Sequence, residues 1–545
     1  MYLSYRKVAV LTVLMGLALA AGGAFYWYQQ AIYTASLDTR PLKVGIVGEI
    51  DTLQPTQLDS PEERLLASAL YEGLVAYDER TSSIKPRLAR SWKYSADHKT
   101  LVVELKKVNF SNGQPLTAEK VKAAWEKSFS TTKDWANISL FLPIEGSQAR
   151  LEGRTPTIAG LEAVDSNTLR IRLEKPNSAF LHMLTNPIFW VYDEAETTDP
   201  SPGTGPFILQ ASTEDHTIVM TRNEKYHQGP PRLSALQFAL YAEPYQAFGD
   251  FKINKLDYLN QVPLTEIKNI KNNPDYKERL VERYLWETYS LGFNMNRAPY
   301  AGNYLLRRAL NYAIDRNAII ETVLAGSYRA AKGVIPMGMP GYNKQLRGYA
   351  YDPERAKELL AEAGYPGGEG LKPLLLSFNS DQGHRAVAEA IAQQFNQLGI
   401  DVQLQDMEWD YYKKQVNAMD LTLFRVGWHA DYADADNFLF GMFHSSKVGI
   451  SNYSAYNNPQ VDKILDAARA ETKSNEERLK LLQRAEEIIV DDAPMLWLFQ
   501  KKAAALSGEN VRHLEMDGLG MVDWFKAELL KPSANGEGSP SEEQV

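Results

Sequence analysis

The stretch Phe424-Arg425-Val426-Gly427-Trp428-His429-Ala430-Asp431-Tyr432 joins a predicted core strand to the turn that follows it. Apolar side chains recur between residues 420 and 427, which is typical of a short strand in a packed core. Trp428 and Asp431 come after this strand, where open sheets commonly bind ligands. A carboxylate beside an aromatic face suits a cationic group. An Asp in a turn also stabilises the turn itself, so both roles stay open for Asp431.

Length and composition narrow the class of protein. A chain of 545 residues is long enough for about three units, which can be interleaved. Hydrophobic residues at 44% and charged residues at 23% are ordinary globular values. A net charge of −9 without a concentrated Lys/Arg patch argues against nucleic acid as a partner. The absence of cysteine excludes disulfides, thiolate metal sites and cysteine nucleophiles.

The N-terminus predicts export. Arg6 and Lys7 precede an uncharged run at residues 8–28, the pattern of a segment inserted with its basic end in the cytoplasm. Ala18-Leu19-Ala20 offers a cleavage site, whereas the length of the run and its aromatic residues 25–28 favour an uncleaved membrane anchor. We favour the anchor, with residues 29–40 as a tether that leaves the protein in the periplasm or on the outer face of the cytoplasmic membrane.

Local signals predict an α/β chain. Residues 42–47 form a predicted strand, and Ser60-Pro61-Glu62-Glu63 is a capping box that begins a helix. Thr117 and Asp352-Pro353 are predicted to begin two further helices. From residue 291 onward strands and helices alternate, which predicts a largely parallel sheet. The Pro/Gly-rich segment at residues 199–206 is predicted to be a linker, hinge or domain crossover, because its prolines lack the N–H donors of a phosphate-binding loop. Residues 533–545 carry no periodicity and are predicted to be disordered.

The order of several blocks resembles the family 5 extracellular solute-binding proteins of ABC importers, which include oligopeptide- and dipeptide-binding proteins. The blocks occur in the family's order from about residue 42 to about residue 530. They include Gly113-Gln114-Pro115-Leu116-Thr117, Gly203-Thr204-Gly205-Pro206-Phe207, Arg307-Arg308-Ala309-Leu310-Asn311-Tyr312-Ala313-Ile314-Asp315-Arg316, Gly427-Trp428-His429-Ala430-Asp431-Tyr432 and Asn458-Pro459-Gln460-Val461-Asp462.

This resemblance implies an α/β, two-lobed periplasmic-binding-protein fold with an extra domain and a cleft that closes about a hinge. The implied boundaries are a signal or anchor segment with its tether at 1–40, a first lobe at 41–85, 201–290 and 501–532, the extra domain at 86–200, a second lobe at 291–500, and a disordered tail at 533–545.

The resemblance also implies a binding protein rather than an enzyme. Its ligand would be a short peptide, held extended between the lobes through its backbone and delivered to a membrane permease with ATPase subunits. We expect a monomer that needs no cofactor or metal. The chain contains no Gly-x-Ser-x-Gly or His-Glu-x-x-His motif, which agrees with the absence of catalysis.

Three charged residues match ligand-binding positions of the family. Asp431 matches the acid that pairs with a peptide's α-ammonium, and Arg425 matches a residue that meets the far carboxylate of short peptides. His384 falls where the C-terminus of a longer peptide is met. An anion and a guanidinium six positions apart suit a zwitterion, whose two charged ends distinguish it from other small solutes.

Further positions complete the expected site. Trp409 and Trp428 match aromatic walls of side-chain pockets, and we expect Tyr289 nearby. Asp59, Ser60 and Pro61 match a loop that offers its backbone to the peptide.

Two departures and several alternatives accompany this prediction. Ala435 replaces a proline common in the family, and residues 184–202 look shortened. Relatives that bind nickel chelates, haem or sugars leave a non-peptide solute open, although His429 and His444 show no metal-ligand spacing. A membrane-tethered peptide sensor is a further alternative.

Overall fold

The computed structural model describes residues 36–131, 135–196, 198–213 and 216–531. The predicted anchor at residues 8–28 and the predicted tail at residues 533–545 lie outside these ranges. Across the described ranges, no helix combines the length and the apolar character needed to cross a bilayer.

The largest element is a mixed sheet of eleven strands, ordered β15-β14-β16-β12-β17-β11-β1-β10-β9-β8, with β13 also paired to β17. A four-stranded sheet, β4-β5-β7-β6, and the pairs β2-β3 and β18-β19 lie apart from it. The strands are β1 Leu42–Val47, β2 Val75–Asp78, β3 Ser83–Pro86, β4 Ala89–Tyr94, β5 Thr100–Leu105, β6 Leu161–Asp165, β7 Thr168–Arg172, β8 Phe207–Thr213, β9 Thr217–Arg222, β10 Ala235–Tyr241, β11 Tyr258–Leu259, β12 Leu280–Phe293, β13 Tyr328–Ala330, β14 Leu374–Asn379, β15 Val402–Met407, β16 Leu423–His429, β17 Met495–Ser507, β18 Val511–Arg512 and β19 Glu528–Leu529.

Helices cover the sheets and connect their strands. Within the described ranges they are α1 Pro61–Ala67, α2 Ala118–Thr131, α3 Trp135–Ile138, α4 Ser147–Leu151, α5 Phe180–Met183, α6 Pro244–Lys252, α7 Ile267–Asn272, α8 Pro274–Lys277, α9 Tyr304–Tyr312, α10 Arg316–Thr322, α11 Pro353–Glu362, α12 Gln382–Asn396, α13 Trp409–Asn417, α14 Ala435–Phe443, α15 Pro459–Ala470 and α16 Asn475–Asp492. Short 3-10 helices occupy Ser139–Phe141, Pro187–Phe189, Leu264–Glu266, Pro366–Gly368 and Ser445–Lys447.

Two long strands run through both halves of the main sheet. β12 pairs with β16 at residues 287–293, and it pairs with β17 along most of its length. β17 continues to β11, which belongs to the half that contains β1 and β8–β10. A bulge lies between the pairs Tyr284/Lys502 and Thr288/Gln500, where residues 285–287 of β12 lie opposite a single residue of β17 and do not pair with it. The two halves of the sheet are therefore joined through β12 and β17.

Separate buried cores accompany these sheets. One core consists almost entirely of residues 74–191, around the four-stranded sheet. A second packs residues 42–71 against parts of 190–258 and 505–529. Two more lie among residues 286–499, on the other half of the main sheet. The cavity described below lies between these parts.

Helix-capping signals in the sequence are confirmed. Ser60 accepts a hydrogen bond from the backbone of Glu63, and Glu63 completes the capping box. Thr117 accepts from the backbone of Lys120 at 3.3 Å, at the start of α2. Asp352 caps α11, which has Pro353 in its first turn.

The main sheet differs from the prediction in two respects. β14 is parallel to β15 and β16, but β16, β12 and β17 are antiparallel to one another, so the expected largely parallel sheet is a mixed one. β12 was not predicted. The alternation of helices and strands was expected to begin at residue 291, and instead a strand of fourteen residues spans Leu280–Phe293, because its irregular burial masks the alternation of apolar and polar residues. β16 also continues through Trp428 to His429, which places Trp428 on the strand rather than in a turn.

The Pro/Gly-rich segment at residues 199–206 is a tightly packed crossover into β8. A β-carbon on Gly203 would lie 2.1 Å from the Leu70 carbonyl oxygen, and one on Gly205 would lie 2.4 Å from the Leu70 carbonyl carbon. Glycine at both positions permits this close approach of two backbones. The Gly205 N–H donates to that same carbonyl at 2.9 Å. Close packing, rather than freedom of movement, accounts for the composition of this segment.

Candidate functional site

A cavity of about 1190 Å³ lies between three parts of the chain. One wall comes from the loop before α1, a second from residues 138–151, and a third from α13, β16 and residues 449–453. Its lining combines aromatic, aliphatic and charged side chains. A cavity of this size, between separately packed parts, is a typical site for a small ligand.

Two predicted tryptophans line this cavity. Trp428 is half-buried on β16, and its indole packs near Phe438 with ring centroids 6.5 Å apart. Trp409 is 47% exposed at the start of α13, where it stacks on Tyr412 and carries the Lys413 ammonium 5.1 Å above its ring. Trp428 therefore forms a fixed part of the wall, and Trp409 presents its face at the solvent side.

Asn437 on α14 holds Trp428 and Asp431 in one arrangement. Its side-chain oxygen accepts from the Trp428 indole at 2.9 Å and from the Asp431 backbone N–H at 3.1 Å. Its amide donates to Asp431 Oδ2 at 2.9 Å. Asp431 does not itself line the cavity. Asn437 instead fixes the Asp431 carboxylate beside the indole of Trp428, which lines the cavity.

Three aspartates between residues 431 and 436 have different ionic environments. Asp434 is fully buried and accepts two hydrogen bonds from Arg478, at 3.0 and 2.6 Å. Asp436 is paired in the same way with Arg469, at 2.8 Å for both bonds. Asp431 is half-buried, and within the described ranges no basic nitrogen approaches its carboxylate within 4.0 Å. Asp431 is therefore the aspartate of this turn that remains available to an external cation.

Arg425 lies on the cavity wall without a carboxylate partner in the described part of the chain. Its guanidinium lies over the Tyr289 ring, 5.2 Å from the centroid, and its buried Nε has no hydrogen-bond partner. Buried guanidinium donors are normally paired, so an unsatisfied one favours an incoming acceptor. Arg425 and Asp431 thus provide two opposite charges that flank Trp428 in the sequence.

His384 and Tyr289 adjoin Arg425 as a pair. The Tyr289 hydroxyl lies 3.4 Å from His384 Nδ1, and the two ring centroids are 5.5 Å apart. Burial, followed by the Arg425 guanidinium, lowers the pKa of His384 to about 4. Burial raises the pKa of Tyr289 to about 12. Both groups are therefore neutral near pH 7, and His384 is a hydrogen-bonding imidazole rather than a cation. Neither side chain is among those that line the cavity.

The loop before α1 is organised around the buried carboxylate of Glu63. Glu63 accepts backbone N–H bonds from Asp51, Thr52, Asp59 and Ser60 at 2.7 to 3.2 Å. The Ser60 carbonyl in turn accepts from the helix N–H of Arg64. The backbone groups of Ser60 are thus already used, and Pro61 has no N–H. Of the predicted loop at Asp59 to Pro61, Asp59 lines the cavity, and Ser60 and Pro61 do not.

Hydrogen bonds bring residues 178–186 against the turn that contains Asp431 and against the end of α15. Asn186 Nδ2 donates to the Asp431 carbonyl at 3.0 Å, and His182 Nδ1 lies 3.0 Å from the Ala433 carbonyl. The Ser178 hydroxyl donates to the Ala468 carbonyl at 3.0 Å. The part of the chain that carries the four-stranded sheet is therefore docked against the half that carries β16.

The two histidines considered for a chelate ligand have structural neighbours. His429 Nδ1 lies 3.7 Å from Glu287, which Lys501 also approaches at 3.2 Å. His444 Nδ1 lies 2.7 Å from the Ser446 hydroxyl. Within the described ranges no group of three or more His, Asp or Glu residues is arranged to hold a metal ion.

Asn437 and Glu63 contribute to the site in ways that sequence reasoning missed. Asn437 lies inside an apolar helix and bonds to β16 and to the turn that follows it. No short sequence pattern around Asn437 indicates these bonds. Glu63 was identified only as a helix cap, and its hold on Asp51 and Thr52 depends on how the preceding loop folds back.

Comparison with known proteins gives consistent matches along most of the chain. The sequence profile of the bacterial extracellular solute-binding proteins, family 5 Middle, matches residues 83–449. Heme-binding protein A of Haemophilus influenzae is 30% identical over 452 residues, or 78% of this chain and 81% of that protein. The dipeptide-binding protein of Escherichia coli is 28% identical over 478 residues, or 83% of this chain and 87% of that protein. A periplasmic oligopeptide-binding protein from Borrelia burgdorferi has a similar structure, with a TM-score of 0.75 at 25% identity over 90% of this chain and 99% of that one.

Proposed function

The chain belongs to the bacterial extracellular solute-binding proteins of family 5, and from this membership we propose that it binds short peptides in the cavity beside β16. In this proposal it is the substrate-binding component of an ABC importer, and it hands the peptide to a membrane permease whose ATPase subunits supply the energy. The relatives named as dipeptide- and oligopeptide-binding proteins support a peptide ligand.

The observation that carries the proposal is the pair of unpartnered charges, Asp431 and Arg425, on either side of Trp428. A short peptide is a zwitterion, and its ammonium and carboxylate complement these two groups. In a partly desolvated site each charged hydrogen bond is stronger than in bulk water. Opposite charges held by a rigid strand and helix are also preorganised, so the ligand orders little of the protein when it binds.

Binding follows from this arrangement in a short sequence of steps. The peptide enters between the two halves of the main sheet, and its ammonium meets Asp431 beside Trp428. Its far carboxylate meets Arg425, with His384 and Tyr289 as neutral neighbours. Residues 178–186, which contact the Asp431 turn in this structure, help to shield the charge pairs from water. A permease that favours the open form releases the peptide.

Haem is the second candidate, because one similar protein carries that ligand in its name. The cavity lining in the described ranges contains no His, Met or Cys, and its residues of a type that ligates haem iron are Tyr412 and Tyr453. The Tyr412 hydroxyl already donates to the Arg425 carbonyl. The opposite charges of Asp431 and Arg425 also suit a zwitterion better than a porphyrin, whose propionates are both anionic. The geometry therefore favours peptide over haem.

Cellular placement and domain organisation complete the proposal. The chain acts outside the cytoplasm as a monomer, tethered by residues 8–28. Separate cores among residues 74–191 and 286–499 support the extra domain at 86–200 and the second lobe at 291–500.

Identification of the bound ligand tests this function directly. Protein purified without refolding is denatured, and the released small molecules are analysed by mass spectrometry. Titration calorimetry with trialanine and with N-acetyl-trialanine follows. We expect short peptides among the released molecules and a loss of affinity on acetylation. Release of a non-peptide solute only, with no heat of binding from trialanine, would contradict the proposal.

A further inference from the structure

A second cation, Lys447, lies next to the proposed ammonium site and has no role in the binding scheme above. It ends the 3-10 helix Ser445–Lys447, after α14. Its carbonyl oxygen accepts three backbone N–H bonds, from Ile450, Ser451 and Asn452, at 2.9 to 3.0 Å. The Ser451 hydroxyl donates to the Gly441 carbonyl at 2.6 Å, which fastens this turn to the helix that carries Asn437. The backbone of Lys447 is therefore rigid.

The ammonium of Lys447 reaches the opposite wall of the cavity. Its Nζ donates to the Ser139 hydroxyl at 3.4 Å, and Ser139 lines the cavity. Within the described ranges no carboxylate oxygen lies within 4.0 Å of this ammonium. Burial, followed by the neighbouring Arg469, lowers the pKa of Lys447 to about 8, so the group is still mostly charged at neutral pH.

The nearby carboxylates do not supply a free counter-charge. Asp436 and Asp431 are the two acids whose charges act on Lys447. Arg469 and the Tyr432 hydroxyl already occupy Asp436. Asp431 is the acid assigned to the ligand's ammonium. Once that ammonium binds, Lys447 faces a second cation across a site that is partly shielded from solvent, and this is unfavourable unless an anion enters with it.

The balance of charges around Trp428 also indicates that the ligand brings an additional anion. Three charges near Trp428 have no ionic partner within 4.0 Å in the described part of the chain: the cations Arg425 and Lys447 and the anion Asp431. Arg425 lines the cavity, whereas Lys447 meets it through Ser139 and Asp431 through Asn437 and Trp428. The other charged side chains of the cavity wall lie at its exposed rim, where solvent screens them, or are already bonded. They are Asp51, Asp59, Asp410, Lys413 and Lys414 at the rim, and Glu63 in the loop before α1. A ligand with one ammonium and two carboxylates neutralises these three charges.

The geometry points to Lys447 as a specificity-determining residue that forms a carboxylate subsite beside Asp431. The inference rests on the proposed peptide function and deepens it, because it assigns a ligand class. That class comprises peptides whose first residue carries a carboxylate close to its ammonium. Either a free α-carboxylate, as in a γ-linked glutamyl peptide, or a short acidic side chain supplies this group.

Calorimetry with three dipeptides tests the subsite. Ala-Ala lacks the additional carboxylate, Asp-Ala carries it on a side chain, and γ-Glu-Ala carries it on the carbon that bears the amine. The full-length protein is compared with Lys447→Gln and with Lys414→Gln, a control that removes an exposed lysine from the same cavity wall. Thermal unfolding of each variant checks that the fold is retained.

We expect at least one acidic dipeptide to bind the unmodified protein about ten-fold or more tightly than Ala-Ala. Lys447→Gln abolishes this difference in affinity, whereas Lys414→Gln preserves it. If Asp-Ala binds more tightly than Ala-Ala, the subsite takes a side-chain carboxylate; if γ-Glu-Ala does, it takes a free α-carboxylate. If Ala-Ala binds but the difference in affinity is absent, or if Lys447→Gln strengthens all three ligands equally, the subsite is refuted and the peptide function stands. If none of the dipeptides and no tripeptide binds, both proposals fail.

Discussion

Replacement of Asp431 by Asn separates ligand recognition from folding. The substitution keeps the size of the side chain, and an amide oxygen at this position can still accept from Asn437 Nδ2, as Oδ2 does now at 2.9 Å. The backbone N–H of residue 431 and the Trp428 indole keep their bonds to Asn437. The change therefore removes one negative charge and leaves the surrounding geometry intact.

The magnitude follows from the position of that charge. A ligand ammonium that is desolvated opposite the uncharged amide of the Asp431→Asn variant loses its counter-ion, which costs about 2 to 5 kcal/mol. At about 1.4 kcal/mol for each factor of ten, the dissociation constant for trialanine rises by about 30-fold to several thousand-fold. The free energy of unfolding changes by less than about 1 kcal/mol, because Asp431 is half-buried and has no basic partner to leave unpaired.

Asp434→Asn is the matched comparison, because it removes a charge three residues away. Asp434 is fully buried, and its loss leaves Arg478, which is 4% exposed, without its carboxylate. Breaking a buried pair in this way destabilises a protein by about 3 to 5 kcal/mol. Titration calorimetry gives the affinities, and urea unfolding gives the stabilities. Unchanged trialanine affinity in Asp431→Asn, or equal destabilisation by both variants, would refute this assignment of Asp431.

Three further predictions concern the neighbours of this aspartate. Asn437→Ala weakens trialanine binding by about ten-fold although Asp431 is intact, because the Asp431 carboxylate and the Trp428 indole lose the hydrogen bonds that position them. Calorimetry measures this loss, and an unchanged affinity would show that Asn437 does not position the site. Arg425→Gln weakens binding of trialanine but not of trialanine amide, which lacks the far carboxylate; equal losses for both peptides would contradict the pairing. His384 has a pKa of about 4 in the folded protein against about 6.5 when unfolded, so its contribution to stability is complete above pH 6.5 and is lost as pH falls toward 4. Urea unfolding between pH 7.5 and 4.5 will show a smaller decrease for His384→Gln than for the unmodified protein, and identical decreases would exclude this role.

Elements with a local signal were predictable from the sequence. The capping box at Ser60 and the Asp352-Pro353 start of α11 are short-range patterns, and both helices begin where these patterns lie. The first strand at Leu42–Val47 agrees with its prediction at both ends. Such signals depend on only a few adjacent residues, so the remainder of the fold does not alter them.

Features that depend on distant parts of the chain were not predictable in this way. β12 was missed because it crosses both halves of the sheet, and its two faces are buried to different degrees along its length. The family resemblance placed Trp428 and Arg425 at the ligand, and both line the cavity. Lys447 carries no local signal in the sequence, because only the folded chain brings residues 139 and 447 together.

The bonds from residues 178–186 to the half of the molecule that carries β16 end on main-chain oxygens, at positions 431, 433 and 468. Every amino acid supplies such an oxygen, so substitutions at these three positions preserve the acceptors. The side chain at position 431 can therefore change during evolution without loss of the bonds that hold the two parts of the molecule together.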